Sequence, residues 1–302
     1  MSDKAVPPAP AEKGAKKYRA KNLGIRYAWP MGIWFTIFFV VPLVIITVYS
    51  FLKKGLYGGV VWEFSLNAYA QMFSKSYGIV FLCTLWISVI YSIITILIAL
   101  PCGYAIARSK HQTVLLMLII IPFWTNSLIR IFACMSILGN DGLINTLLMK
   151  LGIIDDYLPL LYNQRAVILI SVYMYLPYAI LPIFTAIDRF DFSLLEASRD
   201  LGATKAQSMI KILLPSIKSG VITALIFTFI PIFGAYTVPL LVGGKDAYML
   251  GNIIVDQVNK TRNWPLAAAF SMVITVVSTA GVLWMMNTTK KDAALKAKDN
   301  KK

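Results

Sequence analysis

Six apolar stretches, each long enough to cross a lipid bilayer, constrain this 302-residue chain more than any other feature. They lie near Ala28–Phe51, Ile79–Ala105, Thr113–Leu138, Ala166–Ile187, Lys218–Val242 and Leu266–Met286. The hydrocarbon core of a bilayer is about 30 Å thick, which about 20 helical residues cross. Within it every backbone N–H and C=O must be satisfied inside the protein, so a span is either a helix or a strand of a closed barrel. None of the six shows the alternation of a barrel strand, and the expected class is an all-α membrane protein with six transmembrane helices. Composition agrees, since 58% of residues are hydrophobic and only 14% charged, against about a quarter charged in soluble domains. The basic flank of the first stretch resembles a signal peptide. Its apolar run is too long for one, however, and no small-residue cleavage site follows.

The net charge of +15 could indicate a nucleic-acid partner, but the charges flank the apolar stretches rather than forming one patch. Counted over alternate connecting segments, 20 Lys and Arg fall on one side and 8 on the other. The richer side includes Lys13, Lys16, Lys17, Arg108, Arg189, Arg199, Lys205, Lys290 and Lys291. The positive-inside rule then places both termini in the cytoplasm. Residues 1–27 read as a disordered basic tail, 28–288 as one membrane domain and 289–302 as a second basic tail. Cys83, Cys102 and Cys134 all lie in apolar runs and suggest neither a disulfide framework nor a metal site; no cofactor is expected. The lone His111 falls in a short basic loop, where solvation is the simple reading.

Arg130 is the single charge embedded in a span, toward the outer end of the third. It either snorkels to the interface or pairs with a loop carboxylate such as Asp141; intramembrane charges commonly mark function. Pro42, Pro101, Pro122, Pro177, Pro182, Pro231 and Pro239 interrupt the spans, each removing a backbone donor and freeing a carbonyl. Such breaks are tolerated where neighbours or a water-lined cavity satisfy the freed groups. Their concentration in spans three to five favours a cavity or moving helices over inert anchoring.

The connection between spans four and five, 188–215, is too long for a turn and reads as two short helices. Ser193 with Glu196 forms a capping box opening a helix over Leu194–Leu201. Leu194, Ala197 and Leu201 share one face of it, and Gly202 ends it. Thr204 with Gln207 forms a second box. Met209, Ile210, Leu213 and Leu214 give the next helix an apolar side, and Pro215 marks the junction with span five. Glu196, Ala197, Ser198, Gly202, Ile212, Leu214 and Pro215 resemble the EAA signature of ABC importer permeases in residue type and spacing. Ser198 stands where alanine is usual. The resemblance implies a six-helix MetI-like fold in a bacterial inner membrane. It also implies that this loop couples translocation to ATP hydrolysis by a partner subunit, present in two copies. The chain carries no phosphate-binding G-x-x-x-x-G-K-[ST] loop of its own, so it is not expected to be an enzyme.

Four further runs resemble spermidine/putrescine importer permeases, most closely the first of their two permease subunits: Pro122–Arg130, Asn140–Leu148, Leu195–Gly202 and Arg262–Pro265. That resemblance implies a second homologous permease and a periplasmic or lipid-anchored polyamine-binding protein as partners. A polyamine path needs carboxylates or aromatic faces. Trp124, Tyr173 and Tyr236, with Thr125, Asn126, Ser127 and Arg130, form the candidate translocation path, the Trp124–Ser127 run facing the permease–permease interface. Interfacial belts or helix–helix hydrogen bonds would account for the same side chains. Import of another small solute, or a secondary transporter or channel, remains an alternative at this level. Orientation is open to test through Asp155→Cys, which is expected to react with an impermeant thiol reagent in intact cells. Labelling only after the membrane is breached would reverse the assignment.

Overall fold

The computed structural model describes the backbone of residues 23–245 and 247–299, with side chains from 29 to 287. The basic segment 1–22 lies outside the described residues. Helix α1 (Leu23–Phe35) begins inside the stretch read from sequence as a tail. A π-turn at Thr36–Val40 separates it from α2 (Val41–Ser50). Pro42 has no N–H to give, and the ladder widens there, the Val41 N–H reaching Thr36 O. Residues 1–45 form one unit and 46–302 the other. In the first, Trp34 stacks near Phe38 and Phe35 near Phe39, their centroids 4.1 and 4.8 Å apart.

The larger unit opens with a hairpin and a short helix that the sequence reading had not anticipated. Strands β1 (Leu52–Lys54) and β2 (Val60–Phe64) pair antiparallel, Lys53 opposite Val61, and α3 spans Asn67–Met72. Helix α4 (Lys75–Ala107) follows, 33 residues long. The third apolar stretch departs from expectation. In place of one helix over Thr113–Leu138 there are α5 (Gln112–Ile120), a 3-10 turn at Ile121–Trp124, a break, α6 (Ser127–Leu138) and α7 (Leu143–Lys150). Pro122 cannot continue the ladder, and Thr125 is extended at φ −76°, ψ 150°.

Helix α8 (Gln164–Asp188) leads to α9 (Ser193–Asp200), α10 (Lys205–Ser208), a π-turn at Met209–Leu213 and α11 (Leu214–Ser216). Helix α12 (Lys218–Phe233) is bent 72° from the Lys205–Ser216 segment. The fifth stretch is also shorter than expected: it stops at Phe233 and resumes as α13 (Thr237–Val242). Helix α14 (Leu250–Asn259) and the long α15 (Trp264–Asp299) complete the chain. Five helices are long and apolar enough to span a membrane, and the bent pair makes a sixth. The six-span reading holds, with two spans broken.

Helix α8 is the keel of the larger unit, packed along α4 and α12. Ile87, Tyr91, Ile170 and Ile232 are buried in one part of that core, and Ala99, Ile180, Ile183 and Ala224 in another. Lipid tails are as apolar as leucine, so such helices hold together through close packing of small residues. A Cβ on Gly103 would meet Ile183 Cγ2 at 2.9 Å, and one on Gly220 would lie 2.9 Å from the Pro182 carbonyl oxygen. Thr84, Ser88, Ser92 and Thr95 form a buried stripe on α4, each hydroxyl donating to a carbonyl of its own helix at 2.7–2.8 Å. Polar side chains are thereby held at the interface without an unsatisfied donor. Gly220→Val is expected to cost about 1–3 kcal/mol through overpacking, read as a lower melting temperature of the purified protein. Gly281→Ala, where a Cβ meets nothing within 4 Å, should leave it unchanged.

Candidate functional site

The loop 188–215 is held to the ends of the core helices by specific contacts. Gln112 donates to Asp188 Oδ1 at 3.3 Å, and the Arg108 guanidinium lies 5.2 Å over the Phe192 ring. The expected Ser193–Glu196 capping box does not form. Ser193 is already helical, and its N–H donates to Asp191 Oδ1 at 3.0 Å instead. Hydrogen bonds from Ser193 hold the exposed Asp191 carboxyl below its usual range. The second box is present in both arms: Gln207 N to Thr204 Oγ1 at 3.3 Å, and Thr204 N to Gln207 Oε1 at 3.0 Å.

Between the two helices Gly202 takes φ +87°, a left-handed conformation that glycine adopts at little cost. Its N–H donates to Arg199 O at 2.9 Å and that of Ala203 to Ser198 O at 3.0 Å, closing α9. Leu195, Ser198, Ser208 and Leu213 point inward and are buried. The Ser198 and Ser208 hydroxyls lie 2.6 Å apart. Ser198, the residue that departs from the EAA pattern, thus ties α9 to α10. The outward face is apolar: Leu194 is 50% exposed, Leu201 90% and Ile210 64%. Glu196, Ala197, Gly202, Leu214 and Pro215 are exposed beside them, and Ile212 is half-buried. A cleft of about 830 Å³ between α8 and α12 runs from Tyr178 past Pro182 and Gly220 to Leu194, linking the loop to the membrane-level helices.

The candidate path residues divide into two places. Trp124 is 85% exposed. Thr125 Oγ1 donates to Pro122 O at 2.6 Å, and Asn126 Oδ1 accepts from Leu128 N at 2.8 Å, capping α6. These polar groups are engaged by the break itself, not by neighbouring helices. Ser127 is exposed at the start of α6. Arg130 lies with Cζ 4.3 Å from the Phe123 centroid, and that ring is 6.3 Å from the Tyr173 ring. No ion pair joins Arg130 to Asp141. Tyr173 is the tenth of the 25 residues of α8, about 14 Å from the Gln164 end at 1.5 Å per residue. Arg130 is therefore near mid-depth, not at the rim where sequence position had put it. Tyr236 stands apart, in the break between α12 and α13.

Several polar residues that sequence reasoning passed over organise these breaks. Asn252 is buried; its Nδ2 donates to Tyr236 O at 3.1 Å and its Oδ1 accepts from Met249 N at 3.2 Å. Thr84 Oγ1 accepts from Leu250 N at 3.0 Å. Asn145, also buried, donates to Gly139 O and Leu158 O and accepts from Leu158 N, all at 3.1 Å. Part of the Asn140–Leu148 run is thus a staple for the following loop. In the Arg262–Pro265 run, Arg262 takes φ +49°; its carbonyl accepts from Gly59 N at 2.9 Å, seating the hairpin tip. A buried asparagine in an otherwise apolar helix was the available signal.

Ser198→Ala is expected to loosen the α9–α10 tie by about 1 kcal/mol. Amide exchange over Ala203–Ser208 should rise roughly fivefold, and unchanged exchange would show that the serine contributes no tie.

Comparison with known proteins accords with this geometry. The chain is 35% identical over 246 residues to the spermidine/putrescine transport system permease protein PotB of Haemophilus influenzae, covering 81% of this chain and 86% of the relative. The Escherichia coli protein of the same name is equally similar, with 90% of it covered. The inner membrane ABC transporter permease protein YdcU of Escherichia coli is 30% identical over 70% of this chain and 72% of that one. In fold, the chain matches a bacterial alginate ABC transporter in complex with an alginate pentasaccharide-bound periplasmic protein. The TM-score is 0.71 at 17% identity, over 89% of this chain and 96% of that one. Residues 20–287 match the model of the binding-protein-dependent transport system inner membrane component, and the chain belongs to that family.

Proposed function

We propose that the chain is a translocation subunit of an ATP-driven polyamine importer, carrying a spermidine- or putrescine-like cation across the bacterial inner membrane. The observation that carries coupling to ATP is the outward face of 188–215. Leu194, Leu201 and Ile210 present apolar surface with small or flexible neighbours, Ala197 and Gly202, that let a partner approach the backbone. Nothing in the larger unit covers that face, and exposed apolar patches of this kind mark interaction sites. Two copies of an ATP-binding subunit, one against each permease, are the fitting partners. A second homologous permease and a periplasmic or lipid-anchored binding protein would complete the assembly. The polyamine assignment rests on the 35% identity to the two spermidine/putrescine permeases over four-fifths of the chain.

With the charge count placing 188–215 in the cytoplasm, the mechanism follows from connectivity. The loop joins α8 directly to α12, and its anchors reach α4 through Arg108 and α5 through Gln112. A rotation of the docked loop therefore acts on the helices that hold the core. Aromatic faces at Phe123, Tyr173, Tyr175 and Tyr178 supply cation–π surface near mid-depth.

The full complex in proteoliposomes tests both parts. ATP hydrolysis is expected to rise with binding protein loaded with spermidine or putrescine, and Gly202→Val should abolish that rise without lowering abundance. A β-branched residue there costs about 1–2 kcal/mol and blocks close docking. Stimulation by another solute alone would remove the polyamine assignment. Full stimulation in Gly202→Val would remove the coupling role of the loop.

A further inference from the structure

Arg130 carries a full charge that nothing in this chain answers. Its Nε and Nη1 atoms are buried and have no hydrogen-bond partner. A guanidinium is a planar set of five N–H donors that stays protonated at any physiological pH. Phe123 takes one face of the plane, which leaves the in-plane donors unanswered. The chain's carboxylates lie in loops or at span edges. The ion pairs found among the described residues join Lys53 to Glu63 and Lys260 to Asp256, far along the chain from Arg130.

The residue as a whole is half-buried, so part of the head reaches the surface of the chain near mid-depth. Hydrocarbon offers no acceptor there, and an uncompensated charge at that depth is costly. Around it α6 shows Leu128, Ile129 and Phe132, each exposed, a surface that another membrane helix can cover. A neutral acceptor would satisfy the N–H groups but leave the positive charge, which repels a passing polycation. A carboxylate answers both.

We propose that Arg130 binds a carboxylate borne on a membrane span of the partner permease, making it an inter-subunit contact at the mid-depth of the pathway. This rests on the reading that a second, homologous permease packs beside this one. Phe123 is the positioning residue: the turn fixed by Pro122 holds its ring beneath the guanidinium.

The test uses the complete complex and the full chain expressed alone. Arg130→Gln removes the charge and is expected to leave the melting temperature of the chain alone unchanged or higher, since no internal partner is lost. Recovery of the partner permease with the tagged chain should fall at least about tenfold, because removing one member strands a buried charge. Each span-embedded Asp or Glu of the partner is then changed to its amide in combination with Arg130→Gln. One such change is expected to lower recovery by itself and to restore it in the pair. Normal recovery of Arg130→Gln overturns the proposal. So does failure of every acid-to-amide change to rescue it, or an equal loss of stability in the chain alone. None of these readouts uses a transported solute. A wild-type complex that assembles yet ignores polyamines would sink the substrate reading alone, and one that recovers no second permease would sink the assembly reading.

Discussion

The rest of the structure depends on one requirement: backbone polar groups in hydrocarbon must find partners within the protein. Long helices meet it automatically. This chain interrupts its helices with proline and glycine, and each interruption is answered locally. Behind Pro42 the ladder widens into a π-turn. After Pro122 the side chains of Thr125 and Asn126 close the gap, bonding Pro122 O and Leu128 N. Where α12 stops, Asn252 takes the carbonyl of Tyr236 and Thr84 takes the N–H of Leu250. The breaks are built features, and they leave aromatic and charged side chains at depths where an unbroken helix would present a continuous apolar face.

The same requirement explains how the core is held together. With no gain from hiding apolar surface from lipid, α4, α8 and α12 rely on close approach. Gly103 and Gly220 permit it, and the hydroxyl stripe on α4 spends its donors inside its own helix. Both ends of 188–215 continue into this packed set, and the 72° bend after α11 turns the loop away from the axis of α12. A partner docked on Leu194 and Leu201 would therefore act through rigid elements rather than through a tether. The Ser198–Ser208 contact adds to that rigidity at the position where this chain departs from the EAA pattern.

Much of the candidate site was legible because its residues act locally. The positive φ at Gly202 and the Thr204–Gln207 box depend on neighbours within a turn, and both were read from spacing. The Ser193–Glu196 box failed for an equally local reason: Asp191, two residues earlier, captured the Ser193 N–H first. Thr125 and Asn126 looked like path-lining groups because a polar run in a span is conspicuous, and sequence spacing does not reveal that each bonds the backbone of its own turn.

The sequence by itself determined the membrane, the helical class, the number of spans and the existence of the two-helix loop. These follow from apolar length, charge placement and turn chemistry, all of them properties of neighbouring residues. Only the tertiary structure decided where the third and fifth spans break, and that Asn145 and Asn252 serve as staples. It alone placed Arg130 near mid-depth against Phe123, with no carboxylate of its own chain in reach. Those outcomes depend on which distant backbone groups arrive beside a given side chain, and the packing of α8 between α4 and α12 settles that.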